Sequence, residues 1–110
     1  MENENIRPWG RYEILNMTKI KRIDVNPNQR LSLQYHRHRD ETWNILTGSG
    51  KVRIGAETFQ AKPGDEYKIP RNISHRAEAG PEGLSFLEIA TGKIVEESDI
   101  VRQEDDYKRA

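Results

Sequence analysis

Apolar residues fall in short runs along this chain, and no helical period of hydrophobic positions is sustained over about ten residues. The runs are rich in β-branched and aromatic residues and are separated by Gly, Pro and Asn, which favour turns. This pattern predicts many short β-strands, at 11–15, 19–25, 30–36, 42–47, 51–54, 57–60, 66–69, 74–78, 84–90 and 93–95. Their even spacing predicts an antiparallel all-β sandwich or barrel.

The segments between these runs predict the turns and the ends of the domain. Turns are expected at 26–28, 47–50, 55–56, 63–65, 70–72, 80–83 and 91–92. A chain of 110 residues suits one domain. We expect a flexible N-terminus at 1–6, the folded domain at 7–107 and a C-terminal tail at 108–110. The segment 96–110 is highly charged and is predicted to lie over the surface of the barrel.

Several potential metal ligands follow from the strand pattern. Side chains alternate between the two faces of a strand, so Gln34, His36 and, if the strand continues, His38 share one face. Glu41 follows shortly afterwards, and His75 lies on a distant predicted strand. Imidazole nitrogen and carboxylate oxygen are suitable ligands for a borderline divalent ion. Because the chain has no cysteine, thiolate ligands and disulfides are excluded.

Composition and charge exclude several other classes of function. The formal net charge is +0, so nothing indicates nucleic acid or an anionic membrane surface as a partner. No apolar stretch approaches the roughly 18 residues of a membrane span. The polar, acidic start of the chain does not resemble a secretory signal, so we expect a cytoplasmic protein.

Two spaced motifs resemble those of the cupin family, which implies a small double-stranded β-helix barrel. The second motif consists of Gly, five residues, Pro, one residue, Gly, two residues and His. It matches Gly64, Pro70 and His75, with Asn72 in place of the second Gly. Asn is the residue that best tolerates the left-handed backbone that a turn can require.

The first cupin motif sets the register of the potential ligands. Glu41 is followed after six residues by Gly48, and Asn28 takes the place of the leading Gly. Five residues separate Asn28 from Gln34, and four residues separate His36 from Glu41. The resemblance therefore implies a metal site made by Gln34, His36 and Glu41 together with the ligand of the second motif, His75. His38 stays open as an alternative ligand.

Further stretches, at 7–10, 31–36, 38–43, 99–102 and 104–107, resemble the C-terminal domain of type II mannose-6-phosphate isomerase/mannose-1-phosphate guanylyltransferases. The resemblance implies a metal-dependent aldose-ketose isomerase that interconverts mannose 6-phosphate and fructose 6-phosphate in polysaccharide biosynthesis. It also implies zinc as the expected metal, with manganese, cobalt, nickel and iron as alternatives, and a sugar phosphate as ligand. Since small cupins commonly pair through edge strands, we expect a homodimer.

Two residues are candidates for the chemistry of such a pocket. Arg39 is expected at the pocket rim, because it lies between His38 and Glu41, and its planar guanidinium suits a phosphate or an enediolate. Glu88 lies on an otherwise apolar strand and is a candidate base, although an outward-facing charge fits the pattern equally well. Further phosphate-binding candidates are Lys19, Lys21, Arg22 and Arg30.

Two other functions compete with the isomerase. His36, Glu41 and His75 alone would form the two-His-one-carboxylate site of a non-haem-iron oxygenase. A free-standing cupin can also bind a sugar phosphate without turnover. The differences from the isomerase family at Arg37, Thr42 and Ala90 keep this non-catalytic binding function open.

Overall fold

The structure is a computed structural model that describes residues 4–16, 19–92 and 99–107, and every regular element in these ranges is a β-strand. The strands are β1 (Glu4–Arg7), β2 (Gly10–Asn16), β3 (Ile20–Val25), β4 (Leu33–Tyr35), β5 (Arg39–Ile54), β6 (Glu57–Ala61), β7 (Glu66–Ile69), β8 (His75–Gly92) and β9 (Val101–Glu104). The predicted all-β class is therefore confirmed. The predicted strand 93–95 and tail 108–110 lie outside the described residues, as does 1–3 of the predicted N-terminus. The domain bounds stay a prediction.

Two long antiparallel strands, β5 and β8, organise the barrel. The first part of β5 pairs with the last part of β8, and the second part of β5 pairs with the first part of β8. One half of this ribbon is extended by β7 on one side and by β3, β2 and β1 on the other. The other half is extended by β6 on one side and by β4 and β9 on the other. A single curled sheet thus wraps around one interior.

Three of the predicted turns, at 47–50, 80–83 and 91–92, are wrong because these segments lie within the two long strands. The register between β5 and β8 shifts between Gly48 and Gly50, and 80–83 bulges outwards there. A Cβ atom at Gly48 or Gly50 would lie 2.1 Å or 2.0 Å from a backbone carbonyl oxygen of β8. The glycines therefore permit two bent strands to approach each other closely. In the sequence, glycines at such a position look the same as the glycines of a turn.

The inward face of the β5–β8 ribbon changes character along its length. On β5 the inward residues run from Arg39 and Glu41 to Trp43 and Ile45. Because β8 runs antiparallel, its inward Glu88 lies beside the polar start of β5. Polar side chains therefore gather at one mouth of the barrel. The apolar core fills the remainder, with Trp9, Tyr12, Ile23, Val25, Leu31, Trp43, Ile45, Val52, Ala61, Ile69, Ala77, Ala79, Leu84 and Phe86.

The two asparagines that replace motif glycines adopt the left-handed backbone. Asn28 has φ 60° and Asn72 has φ 66°, and these are the positive-φ residues other than glycine in the described ranges. The backbone N–H of Asn72 donates to the carbonyl oxygen of His36 at 2.7 Å. This turn therefore joins the chain leading into His75 to the segment that carries His36.

Strands β1 and β9 do not follow from the hydrophobic pattern. β9 lies in the charged segment that was expected to cover the surface, and it forms a short antiparallel pair with β4. β9 is held by backbone hydrogen bonds, which any residue type can form, so its polar side chains give no sign of a strand in the sequence. Within the described ranges no helix is long and apolar enough to span a membrane.

Candidate metal centre

His36, Glu41 and His75 come together at the polar mouth of the barrel. His36 directly follows β4, Glu41 lies in β5, and His75 is the first residue of β8. One potential ligand atom from each residue lies within 4.8 Å of the others. All three side chains are almost fully buried. The three residues form a group that could bind a metal ion.

The hydrogen bonds of the two imidazoles assign their tautomers. The Nδ1 atom of His36 lies 2.5 Å from the carbonyl oxygen of Asp99, and the Nδ1 atom of His75 lies 3.0 Å from that of Ile73. Because a carbonyl oxygen only accepts, both Nδ1 atoms carry the hydrogen. Arg39 Nη2, which only donates, lies 3.3 Å from His36 Nε2. In the neutral form of each ring, Nε2 is therefore left with a lone pair, as metal-bound imidazoles require.

These lone pairs face the carboxylate of Glu41. His36 Nε2 lies 3.1 Å from Glu41 Oε2, and His75 Nε2 lies 3.6 Å from Glu41 Oε1. Two ligand atoms that are each about 2.1 Å from one zinc ion lie roughly 3 to 3.6 Å apart. His75 Nε2 is buried and has no hydrogen-bond partner within the described part of the chain. A cation between these acceptors would satisfy them, so the residues fit a divalent ion.

The ionisation of the group also suits a cation. Burial raises the pKa of Glu41, but the hydrogen bond and charge that His36 supplies when it is protonated, with the charges of protonated His75 and of Arg39, hold the pKa well below its ordinary value. Burial lowers the pKa of His75, and the opposing effect of Glu41 is smaller. Glu41 is therefore an anion at neutral pH and His75 is a neutral imidazole.

Glu41 is held from two further directions. Trp43 Nε1 donates to its Oε1 atom at 3.1 Å, and Arg39 Nε donates to its Oε2 atom at 2.9 Å. Arg39 was expected at the pocket rim, but it is 3% exposed and lines the pocket from a buried position. The reason is the alternation of β5, which directs Arg39 to the same face as Glu41.

The other predicted ligands differ in their placement. Gln34 is buried, lies opposite His75 in the β4–β8 pair, and accepts a hydrogen bond from Ser32 Oγ at 3.0 Å. His38 is exposed and does not belong to the group that could hold a metal. The strand ends at Tyr35, so the alternation that was extended to His38 does not reach it.

A basic pocket opens beside this group. Glu88 faces inward, which decides between the two orientations that the sequence left open. Burial and the neighbouring Glu41 raise the pKa of Glu88 well above its ordinary value. Lys21, one of the phosphate-binding candidates, lies directly opposite Glu88 in the β3–β8 pair and is 5% exposed. The pocket is lined by Arg7, Trp9, Tyr12, Lys21, Ile23, Leu31, Ser32, Gln34, Arg39, Glu88, Ile100 and Arg102.

The other predicted cations do not line this pocket. Lys19 is exposed, and Arg22 pairs with Asp24 at 3.2 Å on the outer face of β3. Arg30 pairs with Asp106 at 2.6 Å. Sequence reasoning missed Arg7 and Arg102 as pocket residues. Arg7 lies in a β1–β2 hairpin whose first strand was not predicted, and Arg102 depends on the pairing of β9 with β4, which is distant in sequence.

Known proteins with similar sequences are much longer than this chain. Xanthan biosynthesis protein XanB of Xanthomonas campestris is 38% identical over 94% of this chain. Mannose-1-phosphate guanylyltransferase ManC of Salmonella typhimurium is 36% identical over 99%, and alginate biosynthesis protein AlgA of Pseudomonas aeruginosa is 38% identical over 96%. The chain spans only 23%, 24% and 23% of these relatives, respectively.

These findings correct the function predicted from the sequence. We expected an enzyme that by itself interconverts mannose 6-phosphate and fructose 6-phosphate. The relatives are named for guanylyltransferase activity or for polysaccharide biosynthesis, and this chain corresponds to about a quarter of their length. The prediction of a self-contained isomerase is therefore wrong. The relatives are biosynthetic enzymes, and the chain is equivalent to one domain of them.

The fold and the family are established by two further comparisons. Oxalate decarboxylase from Bacillus subtilis superposes with a TM-score of 0.77 over 93% of this chain and 30% of that protein, at 18% identity. KdgF from Halomonas superposes with a TM-score of 0.72 over 82% of this chain and 86% of that protein, at 15% identity. The predicted cupin fold is confirmed. The profile of the family described as "Mannose-6-phosphate isomerase C-terminal" matches residues 1–105, and the chain therefore belongs to that family.

Proposed function

We propose that this chain is a metal-binding cupin domain that binds a phosphorylated sugar in its basic pocket. The observation that carries the proposal is the direct contact between two parts of the site. Arg39 contacts His36 and Glu41 of the metal-binding group and also lines the basic pocket. A ligand in the pocket would therefore face both a metal ion and several cationic side chains. The proposal concerns binding and does not require turnover.

The proposed metal ligands are Gln34, His36, Glu41 and His75, and zinc is the proposed metal. Two neutral imidazoles, one carboxylate and one amide oxygen give a ligand set with a single negative charge, which suits a divalent ion. When bound, such an ion supplies Lewis acidity towards oxygen atoms of a ligand. The burial of the three ionisable side chains favours their interaction with a cation over their interaction with water.

The charge of the pocket supports an anionic ligand. Arg7, Lys21, Arg39 and Arg102 line it, whereas Glu88 is the acid among the described lining residues. Burial raises the pKa of Glu88 well above its ordinary value, so the negative charge of this carboxyl group is disfavoured and offsets these cations less than an exposed carboxylate would. Arginine and lysine together in a concave site are suited to bind phosphate.

The pocket also offers a way to orient a sugar phosphate. Gln34 and Arg39 line the pocket, and Arg7 and Lys21 line it together through their shared contact with the ring of Tyr12, at 4.8 Å and 4.9 Å from its centroid. Arg7 Nη2 donates to the hydroxyl oxygen of Tyr12 at 3.0 Å, which fixes both side chains. We propose that the sugar hydroxyls face the metal and that the phosphate lies near Arg7 and Lys21. Such an arrangement would favour phosphorylated over neutral sugars.

The metal part of the proposal is tested by metal content. Wild-type protein dialysed against zinc should retain about one ion per chain in elemental analysis, and His75→Ala should lose most of it. His38→Ala is the matched control, because it removes an exposed imidazole from the same region. Equal metal content in both variants would reject the proposed ligand set, and a metal-free wild type would reject the metal site itself.

The ligand part is tested by calorimetry with zinc-loaded protein, using mannose 6-phosphate and unphosphorylated mannose. The phosphorylated sugar should bind at least about tenfold more tightly, since it adds charge-assisted hydrogen bonds. Lys21→Met should reduce this preference, whereas Lys19→Met, which alters an exposed lysine, should retain it. Equal affinity for the two sugars, or no binding of either, would contradict the proposal.

A further inference from the structure

The segment that carries His36 receives little support from the sheet. His36 follows the last residue of β4, and β5 begins only at Arg39. Residues 36–38 therefore lie outside the ladder hydrogen bonds that fix strand residues. A metal ligand on such a segment needs other contacts to hold its orientation.

Asp99 supplies three of these contacts. Its carbonyl oxygen accepts the hydrogen bond from His36 Nδ1 at 2.5 Å. Its two carboxylate oxygens accept the backbone N–H groups of Arg37 at 3.1 Å and His38 at 3.0 Å. Asp99 is 7% exposed, so water competes weakly for these groups. One residue thus fixes both the backbone of the segment and the ring of its histidine.

Asp99 is itself anchored by the residues that follow it. In the β4–β9 pair, Val101 lies opposite Tyr35 and Arg102 lies opposite Gln34. Beyond β9, Asp106 receives two hydrogen bonds from the guanidinium of Arg30, at 2.6 Å and 3.0 Å. The segment 99–107 therefore lies along β4 as a strap that is attached at both of its ends.

We propose that Asp99 is a positioning residue for the metal ligand His36, and that the strap 99–107 completes the metal centre. The hydrogen bond to the Asp99 carbonyl fixes the Nδ1–H tautomer and directs His36 Nε2 towards Glu41. Carboxylate contacts to the two following N–H groups prevent the segment from turning the ring away. This inference rests on the proposed metal site, but the orientation of His36 exists without the metal.

Asp99→Ala tests the role of the carboxylate, because it removes the two backbone contacts and keeps the carbonyl group. Zinc affinity, measured by competition with a chromophoric chelator, should fall by about 10- to 100-fold, the usual loss when the support of a ligand is removed. Asp65→Ala is the matched control. Asp65 also accepts a backbone N–H, from Lys62 at 3.1 Å, but in a turn that does not carry a proposed ligand. It should leave zinc affinity within about twofold of wild type.

A second measurement separates this inference from the proposed function. In metal-free protein, imidazole ¹⁵N NMR should show His36 as the Nδ1–H tautomer. Asp99→Ala should give a mixture of tautomers, because without the carboxylate the segment 36–38 no longer holds the ring against the retained carbonyl oxygen. Asp99→Asn, which keeps one acceptor oxygen, should give an intermediate result and guards against misfolding of the alanine variant. If wild type binds no zinc, the NMR result still decides on the positioning role. An unchanged His36 tautomer in Asp99→Ala, or equal zinc affinity in the two alanine variants, would overturn the proposal.

Discussion

Trp43 connects the apolar core with the metal-binding group, so its replacement tests the energetics of both. Its ring is fully buried, lies 4.5 Å from the ring of Phe86 between centroids, and lies edge-on to His75 at 5.4 Å. Its Nε1 atom donates to Glu41 Oε1 at 3.1 Å. The indole thus provides apolar packing together with one hydrogen bond to a buried anion.

The change Trp43→Phe removes that hydrogen bond and part of the ring. A hydrogen bond to a charged group contributes about 1.5 to 3 kcal/mol. The lost ring atoms add a cavity cost, which Trp9→Phe estimates, because Trp9 belongs to the same core cluster. We therefore expect Trp43→Phe to destabilise the metal-free protein by about 1.5 to 3 kcal/mol more than Trp9→Phe does. For a domain of this size, that difference corresponds to at least about 6 °C in Tm.

Urea unfolding followed by far-ultraviolet circular dichroism, in the presence of a chelator, gives the two free energies of unfolding. The indole contact also orients Glu41, so zinc affinity should fall roughly tenfold or more in Trp43→Phe and much less in Trp9→Phe. A difference in stability below about 0.5 kcal/mol would refute the reasoning, since it would show that the buried carboxylate does not depend on the indole N–H.

Three further predictions concern the backbone, the pH dependence and the assembly. Asn72→Ala should lower the free energy of unfolding by about 1 to 2 kcal/mol because of its φ of 66°, whereas Asn72→Gly should be nearly neutral; urea midpoints measure both. Burial raises the pKa of Glu88. This group therefore leaves the free energy of unfolding undiminished below about pH 4.3, and lowers it progressively as pH rises towards the pKa of Glu88 in the folded protein. Glu88→Gln should therefore make the metal-free protein more stable at neutral pH and reduce the fall of its stability as pH rises above about 4.3; an unchanged slope would contradict this. We still predict a homodimer, so light scattering at micromolar concentration should give twice the 12.8 kDa mass of the chain. We place the exposed Ile6 of the edge strand β1 in the interface, so Ile6→Lys should reduce the measured mass.

The sequence was sufficient to predict the fold class and the proximity of His36, Glu41 and His75, a group that could bind a metal ion. The spacing of the motif residues made this prediction possible, because the turns that precede His36 and His75 require a left-handed backbone. Asn28 and Asn72 tolerate that backbone and therefore mark these turns in the sequence. The orientation of Glu88 was not predictable, since the alternation of a strand defines two faces without saying which one is inward.

The supporting contacts were less accessible to sequence reasoning. Asp99 is separated from His36 by 63 positions, and its main contact to the imidazole comes from a backbone carbonyl that every residue type possesses. Arg102 reaches the pocket through the pairing of β9 with β4, two strands that are far apart in sequence, whereas Arg7 lies in the β1–β2 hairpin, whose first strand the hydrophobic pattern does not show. The function predicted for the chain was wrong for a different reason. Motif residues identify a domain, but the activity of a longer relative does not follow from a part of it.

The long strand β8 has a consequence for the order in which the protein acquires its structure during synthesis. β8 pairs with β3 in one half of the barrel, with β4 in the other half and with β5 in both. Since it comes after all of these strands in the chain, neither half can close before the ribosome has made residues 75–92. The carbonyl that orients His36 is made later still, at Asp99. A nascent chain should therefore be unable to retain a metal ion until almost the whole domain has emerged.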